Sequence, residues 1–190
     1  MMRLFAPAAL AAAVLLAVAD CASAELAPEQ AAILYQIALR LTPQYQQPDA
    51  APQIHLVSRT TLKERVCRRD KARECDTCPL ESEIYAECMG NVDETMLHGL
   101  TEWQVIYLAS DLDFANAIDA SVLLHEMVHY IQQWNLGPVK SCEQRYALEK
   151  EARLVQVQSL REQRGDYSLS AAMILRGLDS YRCSRPERQG

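Results

Sequence analysis

A buried helix that carries two histidines and a glutamate constrains this chain more than any other stretch. The segment from Ser121 to Trp134 is apolar on almost every side, which is typical of a helix in the middle of a core. His125 and His129 lie four residues apart within it, so both imidazoles can reach one Zn²⁺ at ~2.0–2.1 Å. Burying ionisable groups is costly unless they are paired or bind a cation. The sequence therefore predicts a metal site on this helix.

The glutamate between the two histidines points to hydrolytic chemistry. Glu126 follows His125 directly, so its side chain points about a quarter-turn away, toward a metal-bound water rather than the metal. This is the H-E-x-x-H arrangement of zinc peptidases, in which two histidines hold the ion and the glutamate is the general base. The motif is short, and a helix with two buried histidines and no metal is the alternative that the pattern alone leaves open.

Residues 1–24 have the features of a secretory signal peptide. Arg3 gives a positive start, and Leu10 to Val18 form a short apolar run. Ala22-Ser23-Ala24 matches a cleavage site of the A-x-A type. The apolar run is too short to span a membrane stably. We therefore expect cleavage after Ala24 and an exported protein, either secreted or periplasmic.

The remaining residues, 25–190, have a length that suits one domain with its own hydrophobic core and no membrane span. Lipid attachment at Cys21 is an alternative to cleavage, although Asp20 is a poor fit to the small residue needed before it. The chain carries a formal net charge of −6, which disfavours nucleic acid and anionic membrane surfaces as partners. We expect a monomer.

The cysteines predict disulfide bonds. Seven are present in the chain, and an even number remains once Cys21 leaves with the signal peptide. The remaining cysteines are Cys67, Cys75, Cys78, Cys88, Cys142 and Cys183. A zinc ribbon would need a second C-x-x-C, and a redox motif would need a thioredoxin-like context; the sequence has neither. We expect Cys142 to pair with Cys183, and the cysteines from Cys67 to Cys88 to pair among themselves.

Hydrophobic periodicity and turn residues predict the order of the elements. The predicted helices are Pro28–Leu41, Thr60–Arg68, Ser121–Trp134, Ser141–Gln163 and Ser168–Leu178. The predicted strands are Ile54–Val57, Glu83–Met89 and Trp103–Ala109, with a weaker candidate at Thr95–Leu97. Asp119 or Ser121 is expected to cap the central helix, and Gly137-Pro138 to end it. This order predicts an α+β fold in which a small antiparallel or mixed sheet packs on the central helix and the helix after it.

A catalytic zinc site needs three protein ligands and an open position, so a third ligand must be found. A histidine six residues after His129 is excluded, because position 135 is Asn. The remaining candidates are His98, Glu143, Glu149 and Glu151. A glutamate on the following helix completes the other common ligand set, two histidines and one glutamate.

Helix geometry favours Glu151 among these candidates. Apolar residues bracket it at i±3 and i±4, which is typical of an inward face. These residues are Ala147, Leu148, Leu154 and Val155. Glu149 has Arg145 and Arg153 at i±4 and is expected on a charged outer face. Glu151 is therefore the predicted third ligand, and Glu149 stays the alternative.

The chain resembles the gluzincin branch of the zinc metallopeptidases, over roughly residues 83–160. The resemblance rests on His125, Glu126, His129 and the Glu151-Ala152 pair, with the strand–helix–helix order around them. The chain looks like the small secreted bacterial H-E-x-x-H proteins. The resemblance implies a compact zincin-like domain, a zinc cofactor held by the two histidines and Glu151, Glu126 as general base, and a peptide or protein substrate.

The chain departs from the gluzincin pattern at one position. Gluzincins usually have an acidic residue four after the ligand glutamate, to orient a zinc histidine, and here that position is Val155. Possible substitutes are Asp111, Asp113 and Asp119. An oxyanion donor is also needed, and the candidates are Tyr130, Tyr146, His98 and Tyr181. An edge strand, Glu83–Met89 or Trp103–Ala109, is expected to pair with an extended substrate.

Two other functions are compatible with the same residues. One is a non-catalytic exported zinc-binding module with a binding or inhibitory role. The other is a disulfide-stapled binding domain with no metal. Zinc in the purified protein would exclude the metal-free domain. Cleavage of peptides would then distinguish the peptidase from the non-catalytic zinc-binding module.

Overall fold

The structure, a computed structural model, describes residues 26–74, 97–163 and 165–181. In these ranges the helices are α1 (Pro28–Leu41), α2 (Arg59–Glu74), α3 (Ala117–Leu136), α4 (Cys142–Glu162) and α5 (Ser168–Arg176). The strands are β1 (Gln53–Val57), β2 (Gly99–Glu102) and β3 (Val105–Ala109), and a 3₁₀ turn at Gly177–Tyr181 follows α5. The predicted α+β class is confirmed.

The described sheet is mixed, which is one of the two predicted arrangements. β3 lies in the middle, parallel to β1 and antiparallel to β2. Trp103 and Gln104 form the tight turn between β2 and β3, where Trp103 has a positive φ of 54°. The predicted strand Trp103–Ala109 therefore begins two residues later than expected. The predicted strand Glu83–Met89 lies outside the described residues.

Helix α3 is the centre of the core. It contacts α4, α1, β2 and β3, so it has neighbours on several sides. Leu123, Leu124, Val128 and Ile131 are completely buried on it. Burying each such side chain stabilises the fold by about 1.5–3 kcal/mol. The central position that the apolar sequence predicted is therefore observed.

Helix α3 begins one turn earlier than the sequence analysis expected. Asn116 is the N-cap, and its side-chain oxygen accepts a hydrogen bond from the Ile118 N–H at 2.8 Å. The prediction of Asp119 or Ser121 as the cap was wrong, because both lie inside the helix. Asp119 instead accepts from the backbone N–H of Asp113 at 2.9 Å.

Helix ends elsewhere follow the sequence closely. Gly137 ends α3 with a φ of 70°, as the glycine–proline pair predicted. Ser141 caps α4, and its hydroxyl accepts from the Gln144 N–H at 3.1 Å. Helix α1 has the predicted bounds. In the described part of the chain, no helix is both long and apolar enough to cross a membrane.

Two groups of predictions lie outside the described residues. The first is the signal peptide at residues 1–24. The second is the cysteine pairing: Cys67 is buried on α2 and Cys142 opens α4. The other four, at positions 75, 78, 88 and 183, are not described. Cleavage after Ala24 and the pairing of Cys142 with Cys183 stay predictions.

The cap of α3 can be tested directly. Asn116→Ala should lower the free energy of unfolding by about 1 kcal/mol, because the first turn loses its side-chain acceptor. Asn116→Asp is the matched control and should keep the stability, since aspartate accepts the same bond. Denaturant unfolding measures both variants. Equal stability of Asn116→Ala and the wild type would contradict this assignment of the cap.

Candidate metal centre

Side chains from α3 and α4 meet in a cluster that could hold a metal ion. His129 Nε2 lies 3.3 Å from Glu149 Oε1, and His125 Nε2 lies 3.6 Å from Glu149 Oε2. The two Nε2 atoms are 3.1 Å apart. One ligand atom from each residue lies within 4.8 Å of the others. The helical spacing of the histidines therefore brings both to one point, as the sequence predicted.

The burial of this cluster fits a bound cation. The three side chains are only 13–16% exposed. Glu149 Oε2 is buried and has no hydrogen-bond partner among the described residues. An unsatisfied buried carboxylate oxygen is costly, and a cation would satisfy it. Two imidazole nitrogens and one carboxylate oxygen also form the ligand set of catalytic zinc sites, so these residues fit zinc.

The electrostatics of the metal-free cluster favour one extra proton, held by His129 beside the ionised carboxylate of Glu149. Burial opposes charge on His129, but its hydrogen bond and attraction to Glu149 outweigh this and raise its pKa to about 9. Burial alone would raise the pKa of Glu149, but the same interactions lower it to about 2. Burial and then the charge of His129 lower the pKa of His125 to about 3. A metal ion would take the place of that one proton.

Glu151, the predicted third ligand, does not join the histidines. Its Oε2 accepts hydrogen bonds from the Tyr45 hydroxyl and from Gln132 Nε2, each at 2.7 Å. Its Oε1 accepts from Gln44. The structure therefore corrects the predicted placement: Glu149 lies in the metal cluster and Glu151 beside it.

The apolar neighbours used in the sequence argument do not separate the two glutamates, because only some of them are buried. Ala147 is exposed, and Leu154 is 48% exposed. Val155 is buried, and so are Ala152 and Gln156. Glu149 lies one turn before Ala152, so its side chain enters the interface with α3. Arg153 is close to Glu149, as expected, at 3.8 Å.

Glu126 is held beside the cluster by strand β2. Thr101 Oγ1 lies 2.7 Å from Glu126 Oε2 and 3.0 Å from the Glu126 carbonyl oxygen. A Cβ on Gly99 would lie 2.8 Å from Glu126 Cγ and 2.9 Å from its Oε1, so only glycine lets β2 pass this closely. The Glu126 charge contributes to the raised pKa of His129. The carboxylate and the metal cluster therefore share one small region.

This region opens into a cleft of about 300 Å³. The polar residues that line the cleft include His125, Glu126, His129, Glu149, Thr101 and Arg145. The sequence analysis missed Gly99 and Thr101, because their role comes from the crossing of β2 over α3. It noted Arg145 only as a neighbour of Glu149 in sequence.

Three of the predicted oxyanion donors, Tyr130, Tyr146 and His98, do not line the cleft. The Tyr130 hydroxyl donates to the Ala50 carbonyl at 2.6 Å. His98 lies beside Arg59, and burial and then the charge of Arg59 lower its pKa. Tyr146 is not among the residues that line the cleft, and the Tyr181 side chain is not described. Among the described residues of the lining, Arg145 is the one arginine or lysine.

The predicted substitutes for an orienting carboxylate also lie elsewhere. Asp111 pairs with Arg59 at 2.8 Å, and that interaction lowers the pKa of Asp111. Asp113 accepts a hydrogen bond from the Ala115 N–H, and Asp119 accepts one from the Asp113 N–H. Both N–H groups lie in the loop before α3. The partner of His129 Nδ1 is instead the side-chain oxygen of Gln132, at 2.8 Å.

Comparison with known proteins finds no matching family model, no matching curated protein and no matching solved structure. The gluzincin resemblance therefore stays a prediction that rests on the motif residues. What the site can do follows from its own geometry and chemistry.

The choice between the two glutamates predicts a clear difference in metal binding. Glu149→Gln should weaken zinc binding by more than about 100-fold, since even partners outside the ligand set cost about 10–100-fold. Glu151→Gln should stay within about threefold of the wild type, because an amide oxygen still accepts from Gln132. Competition with a chromophoric chelator measures both dissociation constants. The two variants are matched controls, because each replaces a carboxylate with an amide and the two positions are two residues apart on one helix. The opposite order would return the ligand role to Glu151.

Proposed function

We propose that this protein is an exported zinc-dependent peptidase with a zincin-like domain. One observation carries the proposal: Glu126 lies in the same cleft as the cluster of His125, His129 and Glu149. A buried metal site needs no such neighbour for stability alone. A hydrolytic site does need a carboxylate next to the metal. In a metal-free, disulfide-stapled domain, the buried Glu149 Oε2 would have ion pairs with His125 and Arg153 but no hydrogen-bond partner among the described residues.

His125 and His129 would hold zinc through Nε2, and Glu149 would hold it through its carboxylate. When bound, zinc lowers the pKa of a water from 15.7 to about 7 and polarises a carbonyl oxygen. Both imidazoles must then be neutral. The extra proton that His129 holds beside Glu149 in the metal-free protein therefore leaves when zinc binds. The histidines and Glu149 therefore act as ligands and take no proton during the reaction.

Glu126 is the proposed general base. Its carboxylate accepts a proton from the attacking water and returns it to the amine that leaves, which is the usual cycle for a carboxylate in this position. The hydrogen bond from Thr101 fixes one carboxylate oxygen, and the close backbone of Gly99 limits how far the side chain can turn. The 7% exposure of Glu126 keeps bulk water away from this proton transfer.

Strand β2 is the proposed contact for an extended substrate. Among the described strands it lies at an edge of the sheet, and it also lines the cleft. The sequence analysis named Glu83–Met89 or Trp103–Ala109 for this role; the first lies outside the described residues, and β3 lies in the middle of the described sheet. An edge strand can pair with a peptide through backbone hydrogen bonds without regard to side-chain identity. The substrate class that fits is therefore a peptide or an unfolded segment of a protein.

Arg145 is the proposed donor for negative charge that develops on the substrate. It lies on the wall of the cleft, one helical turn before Glu149. Its side chain makes no hydrogen bond or ion pair within the described residues, so the guanidinium is available to a ligand. Removing one such donor commonly costs about 100–1,000-fold in turnover.

The base can be tested with purified protein from which the leader has been removed. The wild type should hold about one zinc per chain, and it should cleave peptides in a random-sequence library read by mass spectrometry. Glu126→Gln should keep the zinc and lose turnover by at least about 100-fold, the lower range for general-base catalysis. Glu162→Gln, at the exposed end of α4, is the control and should change neither property. Full activity of Glu126→Gln would refute the mechanism. A wild type that retains zinc but cleaves nothing would favour the non-catalytic binding module.

If Arg145 stabilises negative charge on the substrate, its loss should affect turnover and not zinc affinity, unlike the loss of a metal ligand. Arg145→Met should leave zinc affinity unchanged and lower kcat/KM by about 100-fold. Arg161→Met, an exposed arginine farther along the same helix, should change neither. Steady-state kinetics on one cleaved peptide and chelator competition measure the two properties. Unchanged kinetics in Arg145→Met would remove Arg145 from the reaction.

A further inference from the structure

We propose that Gln132 and Glu151 are positioning residues that fix the ring orientation and the tautomer of His129. They form a hydrogen-bonded chain that connects Tyr45, in the loop after α1, to His129 on α3. The inference rests on the proposed metal site, because its consequence is how His129 presents Nε2 to an ion.

The surroundings of Gln132 determine which way its amide group points. Gln132 Nε2 lies 2.7 Å from Glu151 Oε2 and 3.1 Å from the carbonyl oxygen of Leu148. Both neighbours only accept hydrogen bonds, so the NH₂ group must face them and its two donors are used. The amide oxygen of Gln132 must then face His129.

The same reasoning continues to the imidazole ring. The Gln132 oxygen lies 2.8 Å from His129 Nδ1 and can only accept, so Nδ1 must carry the proton. A neutral ring with its proton on Nδ1 has its free lone pair on Nε2. That is the atom 3.3 Å from Glu149 Oε1, in the metal cluster. The chain therefore selects the tautomer that a metal requires at this position.

Glu151 anchors the chain from the far side. It accepts from Gln132, from the Tyr45 hydroxyl and from the amide of Gln44. Burial and the bond to Glu151 raise the pKa of Tyr45, which keeps its hydroxyl protonated as a donor. Gln132 is 1% exposed, so it has little chance to replace these partners with water. This role accounts for the carboxylate beside the cluster that is not a ligand.

The surroundings of His125 and of Gln156 provide comparisons for this arrangement. His125 Nδ1 is buried and has no hydrogen-bond partner in the described part of the protein, so no comparable chain holds that ring. A second buried glutamine, Gln156, also connects α4 to α3, through a 2.9 Å bond to Ser121 Oγ. Its side chain makes no hydrogen bond to either histidine in the described part of the protein, and it therefore serves as a matched control.

The test uses the full mature protein and zinc itself as the ligand. Gln132→Met keeps the length of the side chain and removes both hydrogen-bonding groups. It should weaken zinc binding by about 10–100-fold, the usual cost of losing a partner of a ligand histidine. Glu151→Met should also weaken zinc binding, because the NH₂ group of Gln132 would lose its acceptor on Glu151 and no longer fix the amide orientation. Glu151→Gln keeps an acceptor and should restore affinity to within about threefold of the wild type. Gln156→Met should leave the affinity unchanged.

A spectroscopic measurement separates positioning from loss of packing. In the zinc-loaded wild type, nitrogen-15 spectra of the His129 ring should show a proton on Nδ1 that exchanges slowly with solvent. Gln132→Met and Glu151→Met should lose this protection, and Gln156→Met should keep it. Failure of the wild type to bind zinc would overturn this inference together with the proposed function. Zinc binding by the wild type with unchanged affinity and protection in Gln132→Met would overturn the inference alone. Equal weakening in Gln156→Met would assign the effect to helix packing and also overturn it.

Discussion

The interface between α3 and α4 contains two imidazoles and a carboxylate that are largely removed from water. The rest of the site depends on how these buried ionisable groups are compensated. Such groups are unstable together unless a proton or a cation is shared among them. In the metal-free protein, the imidazole of His129 and the carboxylate of Glu149 attract each other, which shifts both of their pKa values. This attraction outweighs the loss of solvent, which by itself would lower the pKa of His129 and raise that of Glu149. The cluster of His125, His129 and Glu149 could therefore hold a cation.

Groups at the site are held from more than one side. Glu126 is bound by Thr101 from β2, and His129 is bound by Gln132, which is itself bound by Glu151 from α4. Tyr45 extends this network to the loop after α1. The supporting side chains come from β2, α3, α4 and the loop after α1, so the geometry of the site depends on the whole arrangement of helices and sheet. Rigid support of this kind is what a hydrolytic site requires, since small displacements of catalytic groups are costly.

The two glutamates of α4 show how neighbouring carboxylates acquire different roles. Glu149 and Glu151 differ by two positions, which places them about 200° apart around the helix. Glu149 lies in the cluster with the two histidines, and Glu151 accepts a hydrogen bond from Gln132 beside it. Apolar neighbours in the sequence could not separate the two, because Ala147 and Leu154 are exposed in the fold. Ala152, one turn after Glu149, and Val155, one turn after Glu151, are both buried, so the packing of α4 on α3 decides which carboxylate meets the histidines.

The sequence by itself determined the parts of this protein that depend on local spacing. The positions of His125, Glu126 and His129 on one buried helix follow from helical periodicity, and so do the bounds of α1 and the end of α3 at Gly137. Only the tertiary structure decided which groups meet those residues. Glu149 reaches the histidines because of how α4 packs on α3, and Thr101 and Gly99 reach Glu126 because β2 crosses the same helix. Contacts between elements depend on packing angles and on which face of each helix is buried, and spacing along one chain does not specify either of these.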